Sequence, residues 1–418
     1  MSTWDLARAE EHLLSLELFG MRFGLERMRR LLTALGSPQE QFRSVHVVGT
    51  NGKSSTVRFT AALLEAHGVR TGAYLSPHLT TFAERIRVGD EDLSPDAFGA
   101  AIERAAAAAA KVDRTLSGGE RVTQFELLTA AAFAELARRE VDVAVVEAGL
   151  GGRWDATNVL GAPVVVLTNV GLEHTRWLGP TIRDIAGEKL AVVKPGATLV
   201  LGEAQPEVEE LARETGATLV RPEPVTGLPG YQRANFAAAV AAAKAYLRYA
   251  AKSRPKDAAA ATLDAATVAR VAAHAQVPGR LQVISESPRT ILDGAHNPSG
   301  IAALVGALPD AAGDRPVTAV VSILDDKDAG AMLRELIPAA SALVFTVSAN
   351  RRSLPPATLA SLAAQLGAPA AEVEPDARAA LARARELAGP DGAVVATGSI
   401  YLVADLASAP GARRASAL

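Results

Sequence analysis

An apolar run, Val45-His46-Val47-Val48, passes through Gly49-Thr50-Asn51-Gly52 into Lys53-Ser54-Ser55-Thr56, where a helical pattern begins. A strand, a glycine turn and a helix start in that order build a phosphate cradle. Backbone N–H groups of the turn and of the first helical turn point at an anion, Lys53 adds a point charge, and the Ser54 hydroxyl can face a phosphate-bound Mg²⁺. The commoner spacing, G-x-x-x-x-G-K-[ST], would need glycine at position 47, where this chain has valine. The loop is therefore a shortened variant opening at Gly49, and it predicts a nucleoside triphosphate ligand. The bland alternative is a glycine turn beside a surface lysine.

Composition narrows the class further. At 418 residues the chain exceeds the size at which single cores stop growing, so two domains are expected. Acids and bases are interspersed with a net charge of −3, which leaves no basic footprint for nucleic acid. The absence of cysteine removes disulfides, thiolate metal sites and cysteine nucleophiles together. The stretch Met1 to Leu14 carries Asp5, Glu10 and Glu11 and reads as no ordinary signal peptide, and no later apolar run is long enough for a bilayer. A cytoplasmic monomer acting on small molecules, with no membrane partner, is the expectation.

Strand-like runs alternate with alanine-rich helical stretches, the pattern of a mostly parallel sheet covered on both faces. Strands are predicted near 45–48, 70–75, 141–147, 163–169, 198–202 and 218–220, with helices over 53–67, 95–111, 124–139, 181–193, 206–215 and 232–251. A second series has strands near 289–293, 317–323, 342–347 and 393–397. The fold class is thus α/β: a P-loop domain over 1–276 and a smaller Rossmann-like domain over 277–418. The run Ala105 to Ala110 reads as a surface helix.

Polar groups gather at predicted strand ends. Glu147 closes an apolar strand and is followed by the glycine-rich loop Ala148 to Asn158; it could hold Mg²⁺ or cap a turn. Arg153 in that loop could meet a carboxylate or phosphate, or solvent. Ser76-Pro77-His78 and Asn169 to His174 follow two other strands, and His174 there is a ligand candidate, whereas His12, His46 and His67 read as structural. Lys189 is either a solvated partner of a nearby acid or, held close to metal, an amine that reacts with CO₂ to become a carbamate. Asp293-Gly294-Ala295-His296-Asn297-Pro298 could be a turn and helix cap, and could also present hydrogen-bonding groups to a substrate.

Together these segments resemble the folylpolyglutamate synthase and dihydrofolate synthase family, the folate branch of the Mur ligases. GTNGKSS, SPHLTTFAERIRV, TQFELLTA, EAGLGGRWDATN, GLEHTRWLG, IAGEKLAVVKPG, LPGYQRANFAAA, VPGRLQVI, DGAHNP, LDDKD and ATGSIYLV follow in the family's order over nearly the whole chain. The resemblance implies an ATP-dependent ligase that forms an amide between glutamate's α-amine and a pterin-linked carboxylate, through an acyl phosphate. It implies ATP held by Gly49, Thr50, Asn51, Gly52, Lys53 and Ser54, with Asn235, Arg280 and Asp293 as further contacts. Mg²⁺, at two sites, would be held by Ser76, Glu147 and His174, and Lys189 matches the family's carbamylated lysine. Lys53, Glu147, His174, Lys189 and His296 are the implied catalytic set. Arg22, Phe23, Gly24, Leu25, Thr123, Gln124, Phe125, Trp154, Asp155, Ala156 and Ser399 fall on the substrate side.

Some positions depart from the family pattern. Arg22-Phe23-Gly24-Leu25 stands where bifunctional members often have Asp-Leu-Gly-Leu, and Gln124 replaces an aromatic or apolar residue. Either both folate reactions or polyglutamate synthesis alone fits the motifs. A peptidoglycan Mur ligase is expected to need a longer stretch ahead of Gly49, and a P-loop nucleotide switch leaves DGAHNP unexplained.

Overall fold

The computed structural model describes residues 4–17, 24–253 and 262–409. They form two compact units, one of Met1–His78, Phe82–Gly227 and Ala234–Ala275, the other of Leu79–Thr81, Leu228–Arg233 and Gln276–Leu418.

The first unit is built on strands β1 (Arg43–Val48), β2 (Thr71–Tyr74), β3 (Ile86–Val88), β4 (Glu91–Asp92), β5 (Val143–Glu147), β6 (Val164–Leu167), β7 (Thr198–Leu201) and β8 (Thr218–Val220). Their order across the sheet is β4-β3-β2-β5-β1-β6-β7-β8. Parallel pairing runs from β2 to β8, because β-branched residues buried on both faces suit strands covered by helices on each side. Val45 and Val47 in β1, Val143 to Val146 in β5 and Val164 to Val166 in β6 are all fully buried. The antiparallel strands β3 and β4 extend one edge. At two or three residues each they are too short to show a period in the sequence.

β1 lies between β5 and β6, although both come later in the chain. The chain therefore passes from β1 to β2 on one side and crosses from β5 to β6 on the other, and the carboxyl ends of these strands are where an open α/β sheet binds ligands. The loops after β1, β2, β5 and β6 all emerge at that edge.

The alanine run lies on a surface helix with one face covered: Ala107 and Ala110 are exposed, Ala105, Ala108 and Ala109 are buried, and the helix Pro95–Asp113 packs against the helix Gln124–Arg138. Small side chains let the two helices approach closely, a use of alanine that propensity alone does not reveal.

The second unit has strands β9 (Gln282–Glu286), β10 (Arg289–Leu292), β11 (Val317–Val321), β12 (Ala342–Phe345), β13 (Ala371–Val373) and β14 (Ala393–Thr397), ordered β13-β12-β11-β14-β10-β9. Only β9 is antiparallel, and neither β9 nor the three-residue β13 is distinguished by its sequence pattern. Ile291, Leu304, Ala319, Leu333, Leu343 and Val395 belong to the core on one side of this sheet, while Leu292, Val320, Val394 and Leu402 belong to that on the other.

Candidate active site

The glycine loop after β1 is shaped by neighbours that leave no room for side chains. Gly49 has φ +153, and a Cβ there would stand 1.8 Å from Thr168 Oγ1. Gly52 has φ +82, and a Cβ there would stand 2.2 Å from Asn235 Oδ1. Asn235 comes from the long helix Gln232–Ser253 and is itself buried. The loop is tied to the end of β6: Thr50 N donates to Asn169 O at 3.0 Å, Asn51 N to Asn169 Oδ1 at 2.9 Å, and Thr168 Oγ1 to Asn51 O at 2.6 Å. These contacts fix the path from Gly49 to Gly52. The helix Lys53–Ala66 then starts with N–H groups that have no intrahelical acceptor, as at any helix start.

Glu147 closes β5 almost completely buried. Its Oε1 accepts from Ser54 Oγ at 3.0 Å and its Oε2 from Ser76 N at 3.1 Å. One carboxylate thus joins the cradle helix to the loop after β2. His174 lies on the loop after β6, exposed, with φ 53, as the N-cap of the short helix Thr175–Leu178. Among the described residues, no three His, Asp or Glu side chains cluster around a common point. One carboxylate beside a hydroxyl suits Mg²⁺, which keeps several waters and takes its other ligands from substrate phosphates.

Two lysines point at the same carbonyl. Lys53 Nζ donates to Gly49 O at 3.1 Å and to Thr50 O at 3.0 Å, and Lys189 Nζ donates to Gly49 O at 2.8 Å. Burial, aided by the charge of Lys53, pushes the Lys189 amine down to about 7. The helix Ile182–Leu190 that carries it also supports the loop after Glu147. A Cβ on Gly152 would meet Glu188 O at 2.5 Å, and Arg153 Nε pairs with Glu188 Oε1 at 2.8 Å.

The substrate-side candidates divide. Arg22 and Phe23 lie outside the described residues. Gly24 has φ +149, and the buried Leu25 is the N-cap of the helix Glu26–Ala34. Thr123 caps the helix Gln124–Arg138 in a reciprocal pair with Glu126, whose carboxylate is also held by Arg27. Gln124 is buried, and its Nε2 donates to Leu13 O at 2.7 Å, so this polar replacement pins the helix Leu6–Ser15. Phe125 packs against Gly149, where a Cβ would come within 2.5 Å of its Cζ. Asp155 and Ala156 are buried at the start of a 3₁₀ turn, and Trp154 stands 47% exposed beside them.

In the second unit Asp293 follows β10, buried and saturated with donors. Its Oδ2 accepts from Leu281 N at 2.8 Å and from the Tyr231 hydroxyl, and its Oδ1 accepts from Ala295 N at 2.9 Å. Burial and the adjoining carboxylate hold the Tyr231 phenol well above its usual range. Gly294 N donates to Gly279 O at 2.8 Å, which sets the turn carrying Arg280 against the DGAHNP loop. His296 Nδ1 lies 2.9 Å from Gly294 O. Asn297 caps the helix Pro298–Ala312, and Ser399, also buried, caps the helix Ile400–Ala407. The sequence did not single out Thr168, Tyr231 or the support given by Asn169. A polar residue closing a strand beside the glycine loop was the available signal for the first.

No helix among the described residues is long and apolar enough to cross a membrane. Residues 279–400 match the family Mur ligase, glutamate ligase domain. The chain is 34% identical to a dihydrofolate synthase/folylpolyglutamate synthase of Mycobacterium tuberculosis over 82% of its length and 77% of the relative's. It is 34% identical to a folylpolyglutamate synthase of Lacticaseibacillus casei over 90% of its length and 92% of the relative's. Among solved structures, Mycobacterium tuberculosis folylpolyglutamate synthase complexed with ADP and AMPPCP superposes with a TM-score of 0.85 at 32% identity, covering 96% of this chain and 97% of that one. A bifunctional folylpolyglutamate synthase/dihydrofolate synthase of Yersinia pestis complexed with AMPPNP and Mn ion gives 0.83 at 30%, covering 97% of each. The chain belongs to the folylpolyglutamate synthase and dihydrofolate synthase family of Mur-type ligases.

Proposed function

We propose that this chain is an ATP-dependent ligase that joins L-glutamate to dihydropteroate and to reduced folates. The observation that carries the reading is the meeting of the glycine cradle, Ser54, Ser76 and Glu147 at the carboxyl edge of the parallel strands of one sheet. The likeness to synthases along nearly the full length supports it.

A carboxylate does not react with an amine, so its oxygen first attacks the γ-phosphorus of ATP and ADP leaves. Charge grows on the transferring phosphoryl group, where Lys53 and the N–H groups of the helix start stabilise it. Lys53 has only to leave two loop carbonyls to reach a phosphate. Mg²⁺, when bound, neutralises phosphate charge, and Ser54, Ser76, Glu147 and His174 are the residues that would hold it, at two sites. The amine of glutamate then attacks the acyl carbon, the C–N bond forms and phosphate departs. Lys189 takes up CO₂ as a carbamate, for which its buried, weakly basic amine is suited. Asn235, Arg280 and Asp293 serve the nucleotide, and His296 and Ser399 the substrates. The enzyme acts as a cytoplasmic monomer.

A second reading, polyglutamate synthesis alone, is favoured by the likeness to the Lacticaseibacillus casei synthase. Assays with ATP and glutamate plus either dihydropteroate or tetrahydrofolate separate the two. Turnover with both acceptors supports the bifunctional enzyme, turnover with tetrahydrofolate alone supports the narrower one, and ADP release that needs neither acceptor nor glutamate overturns both.

A further inference from the structure

Arg58 lies one turn beyond Ser54 on the cradle helix Lys53–Ala66, so the two residues share a helix face, and a helical side chain leans toward the turn before its own. That face looks toward charged groups. Glu147 at the end of β5, Glu84 just ahead of β3, Arg87 in β3 and Asp92 in β4 all act on the Arg58 guanidinium. Glu147 is also the carboxylate that accepts from Ser54. Arg58 therefore belongs to the neighbourhood in which a phosphoryl group would be transferred.

Its bonding differs from that of the arginines around it. Arg87 pairs with Asp92 and donates to Asp90 O, and Arg85 Nε donates to His78 Nδ1 at 2.9 Å. Arg58 is half-buried and makes neither a hydrogen bond nor an ion pair with any described residue, although Asp92, Glu84 and Glu147 stand around it. A guanidinium is always charged and carries only donors, so leaving its fork unpaired away from bulk water is costly. The fork suits a carboxylate that arrives with a ligand. Burial and the charge of Arg87 push the Arg58 guanidinium below its usual range, an effect that a bound anion would offset.

Position separates the anions that could arrive. ATP phosphates fall to the loop and to Lys53, ahead of the helix. The reacting carboxylate of the acceptor must meet the γ-phosphorus there, beside Ser54 and Glu147. Arg58 is rooted one helical turn, ~5.4 Å, behind that point. The terminal glutamate of a folate carries a second carboxylate, the α, set back from the reacting γ-carboxylate by three carbons, a spacing of the same order as one turn. Dihydropteroate has no such group.

We propose that Arg58 binds the α-carboxylate of the acceptor's terminal glutamate and so favours folates over acceptors with a single carboxylate. The inference rests on the reading above that the chain adds glutamate to folates.

Arg58→Met keeps much of the stem and removes the charge, whereas Arg58→Lys keeps the charge without the fork. KM is measured for ATP, for glutamate, for tetrahydrofolate, and for the tetrahydrofolate analogue with 4-aminobutyrate in place of glutamate, which retains the reacting carboxylate and lacks the α one; Tm is followed alongside. The parent should prefer tetrahydrofolate to the analogue. Arg58→Met should raise the tetrahydrofolate KM about tenfold or more and that of the analogue by less than about twofold, with Arg58→Lys between parent and Arg58→Met. An equal change for both acceptors, a rise confined to glutamate or ATP, or a lowered Tm with every KM unmoved overturns the inference. If Arg58→Met does not fold, the ratio of the two acceptor KM values in Arg58→Lys decides the question. A parent protein that turns over no folate overturns the functional reading itself, whereas parent turnover with an unmoved ratio overturns only the role of Arg58.

Discussion

Ser54 Oγ and Glu147 Oε1 are 3.0 Å apart, so the first turn of the cradle helix and the end of β5 share one hydrogen bond. The hydroxyl and the carboxylate are thereby held where one divalent cation could take an oxygen from each. Glu147→Gln keeps the shape and exchanges an anionic oxygen for a neutral one. The Mg²⁺ concentration for half-maximal ligation should rise about tenfold or more, with the fold intact by circular dichroism. An unchanged Mg²⁺ titration would reduce Glu147 to a structural link between Ser54 and Ser76.

Lys53 rests on the carbonyls of Gly49 and Thr50, the loop that would receive the phosphates. Lys53→Ala removes a cation at the point where phosphoryl charge develops, and kcat should fall by about 10²-fold or more. Near-normal kcat at saturating ATP would remove the cradle from the mechanism.

A methyl group at position 52 has nowhere to go. It would lie 2.2 Å from Asn235 Oδ1 on a residue with φ +82, so Gly52→Ala carries both a clash and backbone strain. A shift of this size in a phosphate loop should cost about 10²-fold in kcat/KM for ATP. Adding Asn235→Ala relieves the clash but leaves the strain and removes a residue assigned to the nucleotide, so activity should stay below the parent's. Full activity in Gly52→Ala alone would show that the loop does not hold the phosphates in this shape.

The fold class and the cradle were legible because each rests on local pattern. Valine-rich strands between alanine-rich helices mark a covered parallel sheet, and the Gly49 to Ser54 turn reads from residue order alone. What escaped is long-range. The Thr157 partner of His46, the Asn169 support under Thr50 and the Tyr231 hydroxyl on Asp293 join residues far apart in the chain, and no periodicity encodes them. Gln124 looked like a departure in a substrate segment, yet its amide is engaged by Leu13 O, a contact visible only once the helices have packed. Which face of the alanine run is covered was hidden for the same reason, since it depends on which helix lies across it.

Asp293 illustrates a carboxylate whose first task is internal. Tyr231→Phe removes one of its donors within a buried cluster, which should lower stability by about 1–3 kcal/mol. The same cluster holds Leu281 N, next to Arg280, so the variant should also raise the ATP KM modestly if Arg280 contacts the nucleotide. Unchanged stability to urea would mean that the phenol contributes nothing net to the cluster.

Lys189 supplies the pH signature. Its amine titrates near 7 when folded against an ordinary 10.5, with burial as the main cause and Lys53 adding to it. The folded value is depressed, so between these two values the unfolded chain binds the proton and the folded chain does not. The stability this provides is complete above the unfolded value and is lost as pH falls through the folded one. Lys189→Met should flatten that slope, leaving a variant whose stability gains less from pH 7 upward. The same depression makes the amine a nucleophile near neutrality. At fixed dissolved CO₂, the initial rate at which a ¹³C carbamate signal appears should grow roughly tenfold from about pH 6 to about pH 8, following the neutral fraction, as the amine attacks CO₂ and releases a proton. It should vanish in Lys189→Ala, whose lost activity formate or acetate would restore in part by returning an anion beside Gly49. A protein that shows full activity and no carbamate signal across this range would leave Lys189 as a hydrogen-bond donor to the cradle and nothing more.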